Sequence, residues 1–289
     1  MSATTTSPAP AASHDAPPVT GGPHLTFGHL LRSEQIKLWS VRSTPWTLAS
    51  LVLVMVGIVA GMSALIGSNA DEFGMPLEEV SLFPYMVAVQ MASLVVVVLG
   101  VLTITGEYTT GMIRSTLTAA PTRLPAFWAK AAIVTVTILV VSLVGVALSL
   151  GVQWLILGGK GLTVDLADPE NLRVLGGTAL YLATITLFAY ALGALMRHSA
   201  AALATIIALL LVIENVFAAI PWKPLQVISP FLPATAGSKL TMPQSQIDMM
   251  NTMSPNGADL SAWQGYGVLV LWVAVLLAVA AVLLRRRDA

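Results

Sequence analysis

Six long runs of apolar residues occur along the sequence, and each could cross a membrane as a helix. The hydrocarbon core of a bilayer requires about 20 apolar residues in helical form. The runs occupy residues 46–66, 82–105, 126–157, 174–196, 199–220 and 265–284. They lack the strict alternation of a barrel strand, so the pattern predicts six transmembrane helices.

The segment before the first run, residues 25–44, has a two-sided pattern instead. Four apolar residues fall on one helical face of this segment, namely Phe27, Leu30, Leu31 and Leu38. This pattern predicts an amphipathic helix that lies on the inner membrane surface and leads into the first span. Glu34 interrupts the apolar face. We interpret it as a surface acid paired with Lys37, with a contact to a cytoplasmic partner as the alternative.

The composition agrees with a membrane environment. Hydrophobic residues make up 56% of the 289 residues, charged residues only 10%, and the mean hydropathy is +0.82. Soluble globular domains carry about 25% charged residues. We therefore predict an all-α integral membrane protein with a disordered tail (1–24), the interfacial helix (25–44) and a six-helix transmembrane domain (45–289).

The charged residues between the apolar runs are distributed unevenly, and this asymmetry predicts how the helices face. Cytoplasmic loops of membrane proteins carry an excess of Lys and Arg. Segments on the side of the N-terminus hold ten of the 14 basic residues, including Arg285, Arg286 and Arg287. Segments on the other side hold four basic residues and most of the acidic ones. We expect both termini to be cytoplasmic.

The inner loop between the second and third runs is the most informative polar stretch. It begins with GEYTTGMIRSTL (residues 106–117) and continues through Pro121 and Pro125 into the third run. A short helix along the inner surface would fit between Glu107 and Leu117, because the prolines separate it from the third span. An acid near its start would suit the positive end of that helix.

This run, together with SEQIKLWSVRSTPW (33–46) and ALGALMRHSA (191–200), resembles the permease subunits of ABC transporters of the type-two export family. The resemblance extends from about Phe27 to the end of the chain. It includes the six spans, the two inner termini and a long outer loop before the last span. These motifs are shared by many bacterial permeases, so they indicate the family and not the cargo.

The resemblance implies a function and a set of partners. Two six-span subunits, identical or related, would form an export pathway in the bacterial cell membrane, each docked on a separate ATPase subunit. The short helix after the second span would sit in a groove of that ATPase. By position, the candidate coupling residues are Glu107, Tyr108, Gly111 and Arg114, with the capping of a surface helix as the alternative role. The lipid bilayer is the remaining expected partner, and we expect no nucleic acid.

The sequence also indicates that any ATP hydrolysis takes place on another polypeptide. A phosphate-binding loop has the pattern GxxxxGK[ST] between a strand and a helix. The only Gly-Lys pair, Gly159-Lys160, has Trp154 in place of the first glycine and Gly161 in place of Ser or Thr. We therefore expect no cofactor in this chain and no ATPase activity of its own.

Two other functions remain open. One is a non-transporting assembly or sensor subunit with the same fold. The other is an intramembrane enzyme, which would need clustered His, Asp or Glu residues inside the spans. The four histidines are His14, His24, His29 and His198, and none of them lies deep in a span.

A few polar residues occur within the predicted spans, in the outer half of the membrane. They are Gln90 in the second span, Gln153 in the third, and Glu214 and Asn215 in the fifth. A charge in a span is costly and suggests a functional role, so these residues could line the cargo pathway. The alternative is that they join helices by hydrogen bonds. The outer loop (221–264) contains a short apolar stretch, 225–232, which we expect to dip into the outer leaflet or to cap the pathway.

Overall fold

The computed structural model describes residues 26–68, 77–109, 123–220 and 222–287, and the regular secondary structure in these ranges is helical throughout. The α-helices are α1 (Phe27–Ser40), α2 (Ser43–Ser68), α3 (Leu77–Thr109), α4 (Arg123–Leu157), α5 (Pro169–Met196), α6 (Ser199–Ile207), α7 (Glu214–Ala219), α8 (Lys223–Ile228), α9 (Pro233–Ser238), α10 (Gln244–Met253) and α11 (Ala262–Arg287). A π-helical turn, Ala208–Ile213, joins α6 to α7 without a break.

Six of the described helical segments are long and apolar enough to cross a membrane. Spans one to four are α2 to α5, the fifth span runs from α6 through the π turn to α7, and the sixth is α11. The predicted number of transmembrane helices is confirmed, and the protein is a multi-pass membrane protein. The predicted tail, residues 1–24, lies outside the described residues.

Most of the helices extend beyond the apolar runs that predicted them, the fifth span being the exception. The second run covers residues 82–105, whereas its helix covers Leu77–Thr109. Hydrogen bonding along a helix does not depend on lipid, so polar turns continue past the apolar core. The fourth span shows how such a helix is bounded: the Asp168 carboxylate accepts from the Glu170 amide at 2.9 Å, and Pro169 occupies the first turn.

The fourth span is the centre of the bundle. It packs against the second, third and sixth spans and is the most buried of the six. It approaches the second span closely at Gly100, where an added Cβ would lie 2.5 Å from the Thr186 carbonyl oxygen. Small residues allow helix backbones to approach in this way inside membranes.

The chain between the fifth and sixth spans folds back against the bundle. A Cβ on Gly265, at the start of α11, would lie 2.3 Å from the carbonyl oxygen of Ala236 in α9. The indole Nε1 of Trp272 donates to the Phe231 carbonyl at 2.9 Å. Trp272 lies roughly 15 Å along α11 from its first residue. The 225–232 segment thus contacts the sixth span through Phe231, while its predicted role, dipping into the outer leaflet or capping the pathway, stays a prediction.

The opposite end of the bundle is assembled around α1. This helix packs mainly on α4 and more lightly on α2, and the end of α3 also reaches it. We call this the α1 end. A helix is present before the first span, as predicted, while its amphipathic role on the membrane surface stays a prediction.

Candidate functional site at the α1 end of the second span

Two of the four candidate coupling residues lie in the last turn of α3. Glu107 and Tyr108 directly precede its end at Thr109. The sequence predicted Glu107 near the N-terminal end of a separate short helix. In the structure it lies instead near the C-terminal end of α3. Gly111 and Arg114 lie outside the described residues, as does most of the predicted coupling helix.

Glu107 belongs to a group of four charged side chains, Glu34, Lys37, Glu107 and Lys130, that we call the four-charge cluster. The Lys130 Nζ lies 2.7 Å from Glu107 Oε1 and 2.5 Å from Glu34 Oε2. The Lys37 Nζ lies 2.6 Å from Glu34 Oε1 and 4.0 Å from Glu107 Oε1. The cluster therefore connects α1, the end of the second span and the start of the third.

The cluster is largely removed from solvent. The side chain of Glu34 is 2% exposed, those of Glu107 and Lys130 are 12% exposed each, and that of Lys37 is 33% exposed. Buried charges are tolerated when each has an opposite charge in contact, and the loss of one partner is strongly destabilising. The charges of two carboxylates and two ammonium groups cancel in this cluster. α1, the second span and the third span are therefore held together by side chains that each need the others to stay neutralised.

Glu34 differs from its predicted role in one respect. Its pairing with Lys37 is present, but Glu34 is buried and is not a surface acid. The reason is Lys130, which reaches Glu34 from the third span. The residue that interrupts the apolar face of α1 thus points into the protein because a distant lysine neutralises it.

Tyr108 makes a second connection from the same turn. The guanidinium carbon of Arg197 lies 5.2 Å from the centre of the Tyr108 ring, a distance typical of a cation–π contact. Arg197 ends the fourth span in a left-handed conformation, with φ 55°. Adjacent residues of α3 therefore contact three other parts of the chain: Glu107 contacts α1 and the third span, and Tyr108 contacts the turn between spans four and five.

The candidate pathway residues in the second and third spans have different surroundings. The Gln153 side chain is buried, accepts from the Tyr85 hydroxyl at 2.9 Å and donates to the Ser81 carbonyl at 2.7 Å. These contacts join the third span to the second, as in the interpretation that polar groups link helices. Gln90 is exposed on the surface of the second span.

Glu214, in the fifth span, is buried and contacts the start of α9. Its carboxylate accepts from the Ala234 amide at 2.9 Å, the Thr235 amide at 2.5 Å and the Thr235 hydroxyl at 2.7 Å. The neighbouring Asn215 is exposed, and its Nδ2 donates to the Leu211 carbonyl of the π turn at 2.9 Å. Glu214 therefore attaches the fifth span to the segment that folds back along the bundle. Within the described part of the chain, no group of three or more His, Asp or Glu side chains could hold a metal ion.

The charged groups of the four-charge cluster are engaged with one another. Two of them, Glu107 and Lys130, flank the segment between spans two and three. In comparisons with known proteins, no protein-family model and no curated protein matches this sequence.

Proposed function

We propose that this chain is the membrane-spanning permease subunit of an ATP-driven ABC transporter, working as an exporter in the bacterial cell membrane. It would form half of the pathway with a second permease subunit and dock on a separate ATPase subunit through the loop between spans two and three. The sequence motifs at 33–46, 106–117 and 191–200 support this assignment, as does the six-span architecture.

The observation that carries the proposal is the position of the four-charge cluster. Glu107 lies just before that loop and Lys130 just after it, and their charged atoms are 2.7 Å apart. A force applied to the loop by an ATPase would therefore act on the ends of both spans together. Glu34 adds α1 to the same unit through Lys130.

Tyr108 extends this unit toward the rest of the bundle. Its contact with Arg197 leads to the end of the fourth span, which packs against the second, third and sixth spans. A movement that begins at the loop would therefore reach the central helix through one side-chain contact. In the proposed cycle, closure of the ATPase dimer moves this connected end and opens the pathway at the other side.

Cross-linking tests the docking directly, because the chain contains no cysteine. A single cysteine replacing Gly111 should cross-link to the ATPase subunit that co-purifies with this chain in mild detergent. A cysteine replacing Asn256, in the chain between spans five and six, is the control and should not react with the ATPase. An impermeant maleimide on whole cells should label the cysteine at 256 and leave that at 111 unlabelled.

An activity measurement distinguishes coupling from mere attachment. The charge reversal Arg114→Glu should lower the ATPase rate stimulated by this chain by about tenfold or more, because it removes a cation from the docking loop. Arg123→Glu, at the edge of the third span, is the matched control and should have a smaller effect. If no ATPase co-purifies, or if Arg114→Glu leaves the stimulated rate unchanged, the proposed function is wrong.

A further inference from the structure

A partly open cavity of about 230 Å³ lies beside the four-charge cluster, between α1 and the first three spans. Its walls are mainly apolar and include Leu38, Leu99, Leu102, Ile133 and Val134. Most of the wall surface is therefore apolar and suits a hydrocarbon chain, while the four-charge cluster and several hydroxyl groups line the rest.

The side of the cavity formed by the elbow between α1 and α2, which we call its mouth, has a different character. Val41 and Ser43 line it, and Thr47 lies one turn further on. Arg42, between these two lining residues, is exposed, and the partly exposed Lys37 also lines the cavity. The 26-residue helix α2 begins at this point, so the positive end of its dipole adds to the two cations.

The net charge at the mouth is positive although two carboxylates border the cavity. Glu34 and Glu107 are each within 2.7 Å of the Lys130 ammonium group, and with Lys37 the four-charge cluster is neutral. The charge of Arg42 is therefore in excess. Ser43 and Thr47 line this side of the cavity and add hydroxyl groups to it.

The surroundings of the mouth are those of a lipid headgroup region. Trp39 and Trp46, on either side of the elbow in the sequence, are both exposed. Tryptophan is enriched at the boundary between hydrocarbon and headgroups. Basic pockets between transmembrane helices bind anionic headgroups at this level of the membrane.

We propose that this cavity binds one anionic phospholipid, with an acyl chain between the apolar walls and the phosphate at Lys37, Arg42 and the start of α2. The bound lipid would fill the space between α1 and the spans that it contacts. This inference does not depend on the proposed transport function, because it uses only the cavity, its charges and its place at the end of the spans.

Native mass spectrometry of the full chain tests the proposal. Detergent-purified protein is mixed with equal amounts of phosphatidylglycerol and phosphatidylcholine that carry the same acyl chains. We expect one phosphatidylglycerol to remain bound in excess of phosphatidylcholine. Arg42→Gln should lower this preference by about fivefold, the effect of one cation near an anionic headgroup. Arg285→Gln, which changes a basic residue at the end of the sixth span, should leave it unchanged.

A second pair of variants tests whether the lipid occupies the cavity itself. Thr47→Trp should fill the cavity and lower the amount of bound phosphatidylglycerol by about tenfold. Leu53→Trp, at an exposed position of the same helix that does not line the cavity, should have no effect. If the filled variant does not fold, Thr103→Leu tests the same wall from the second span.

Several results would overturn the proposal. Equal retention of the two lipids would show that the headgroup is not recognised. Undiminished retention in both cavity-filling variants would show that the lipid binds elsewhere on the surface. Displacement of the lipid by inorganic phosphate alone would show a simple anion site without an acyl chain.

Discussion

Glu34 and Glu214 are almost equally buried, with 3% and 4% of their surface exposed, but their negative charges are stabilised in different ways. Glu34 contacts two lysines, one from its own helix and one from the third span. Glu214 contacts two backbone amides and a hydroxyl at the start of α9. Glu34 is thus stabilised by opposite charges, whereas Glu214 is stabilised by the position of the short helix α9.

This difference has consequences for the two ends of the bundle. An ion pair keeps its partners together over a range of angles, so the α1 end can move as a unit while its charges stay balanced. Hydrogen bonds to amides require close distance and alignment. The Glu214 contact therefore holds only while α9 stays in its place beside the fifth and sixth spans.

The largest effect is expected from Lys130→Met, which removes the cation shared by two buried carboxylates. Glu34 would keep Lys37, while Glu107 would keep only a cation 4.0 Å away. We expect a loss of about 3–5 kcal/mol in the free energy of unfolding. Thermal unfolding in detergent measures this loss. The double variant Lys130→Met/Glu107→Met should recover part of it, and a loss below about 1 kcal/mol would contradict the assignment of a buried cluster.

A smaller effect is expected from Glu214→Ala, which leaves the Ala234 and Thr235 amides without their acceptor. We expect a loss of about 2–3 kcal/mol, and roughly half of that for Glu214→Gln, whose single carbonyl oxygen still accepts. Limited proteolysis between residues 222 and 261 should be faster in both variants. If Glu214→Gln changes neither transport nor protein level, Glu214 has no part in a cargo pathway.

The smallest effect concerns Lys239, which is 2% exposed in the segment between the fifth and sixth spans. Burial lowers its pKa below the ordinary 10.5, and the nearby Asp259 partly opposes this shift. The unfolded chain therefore binds more protons between the folded pKa and 10.5, so the folded state gains stability as pH rises through this window. Relative to Lys239→Met, the wild type should become more stable from neutral pH toward pH 10.5. The free energy of unfolding of both proteins is measured across this pH range. A difference between them that is constant or falls with rising pH would contradict the prediction.

The six spans could be predicted because their signal is local and long. The composition of each apolar run indicates by itself that the run lies in lipid, and about 20 such residues are enough to identify a crossing helix. The same local pattern could not place Glu34, because the ammonium group that neutralises it belongs to Lys130, 96 positions later in the sequence. The contact between these two residues arises from tertiary packing, and no repeating pattern in the sequence indicates it.

The candidate coupling residues show the same limit. The sequence marked Glu107 and Tyr108 through their motif, but it gave no indication of Lys130 or Arg197 as their partners. Lys130 was visible as a charge at the edge of an apolar run, and that position alone could have indicated a buried ion pair. Gln153 and Glu214 were identified as polar groups inside spans, while the structure was needed to find Ser81, Tyr85 and Thr235 beside them.

The π turn of the fifth span has a consequence for rotation about the helix axis. Such a turn accommodates one residue more than an α-helical turn, so the residues after Ile213 are rotated by about 100° relative to those before Ala208. In an uninterrupted α-helix that starts from the same α6, the Glu214 side chain would point away from the start of α9 by that angle. A single additional residue within Ala208–Ile213 thus determines which side of the fifth span carries the acid.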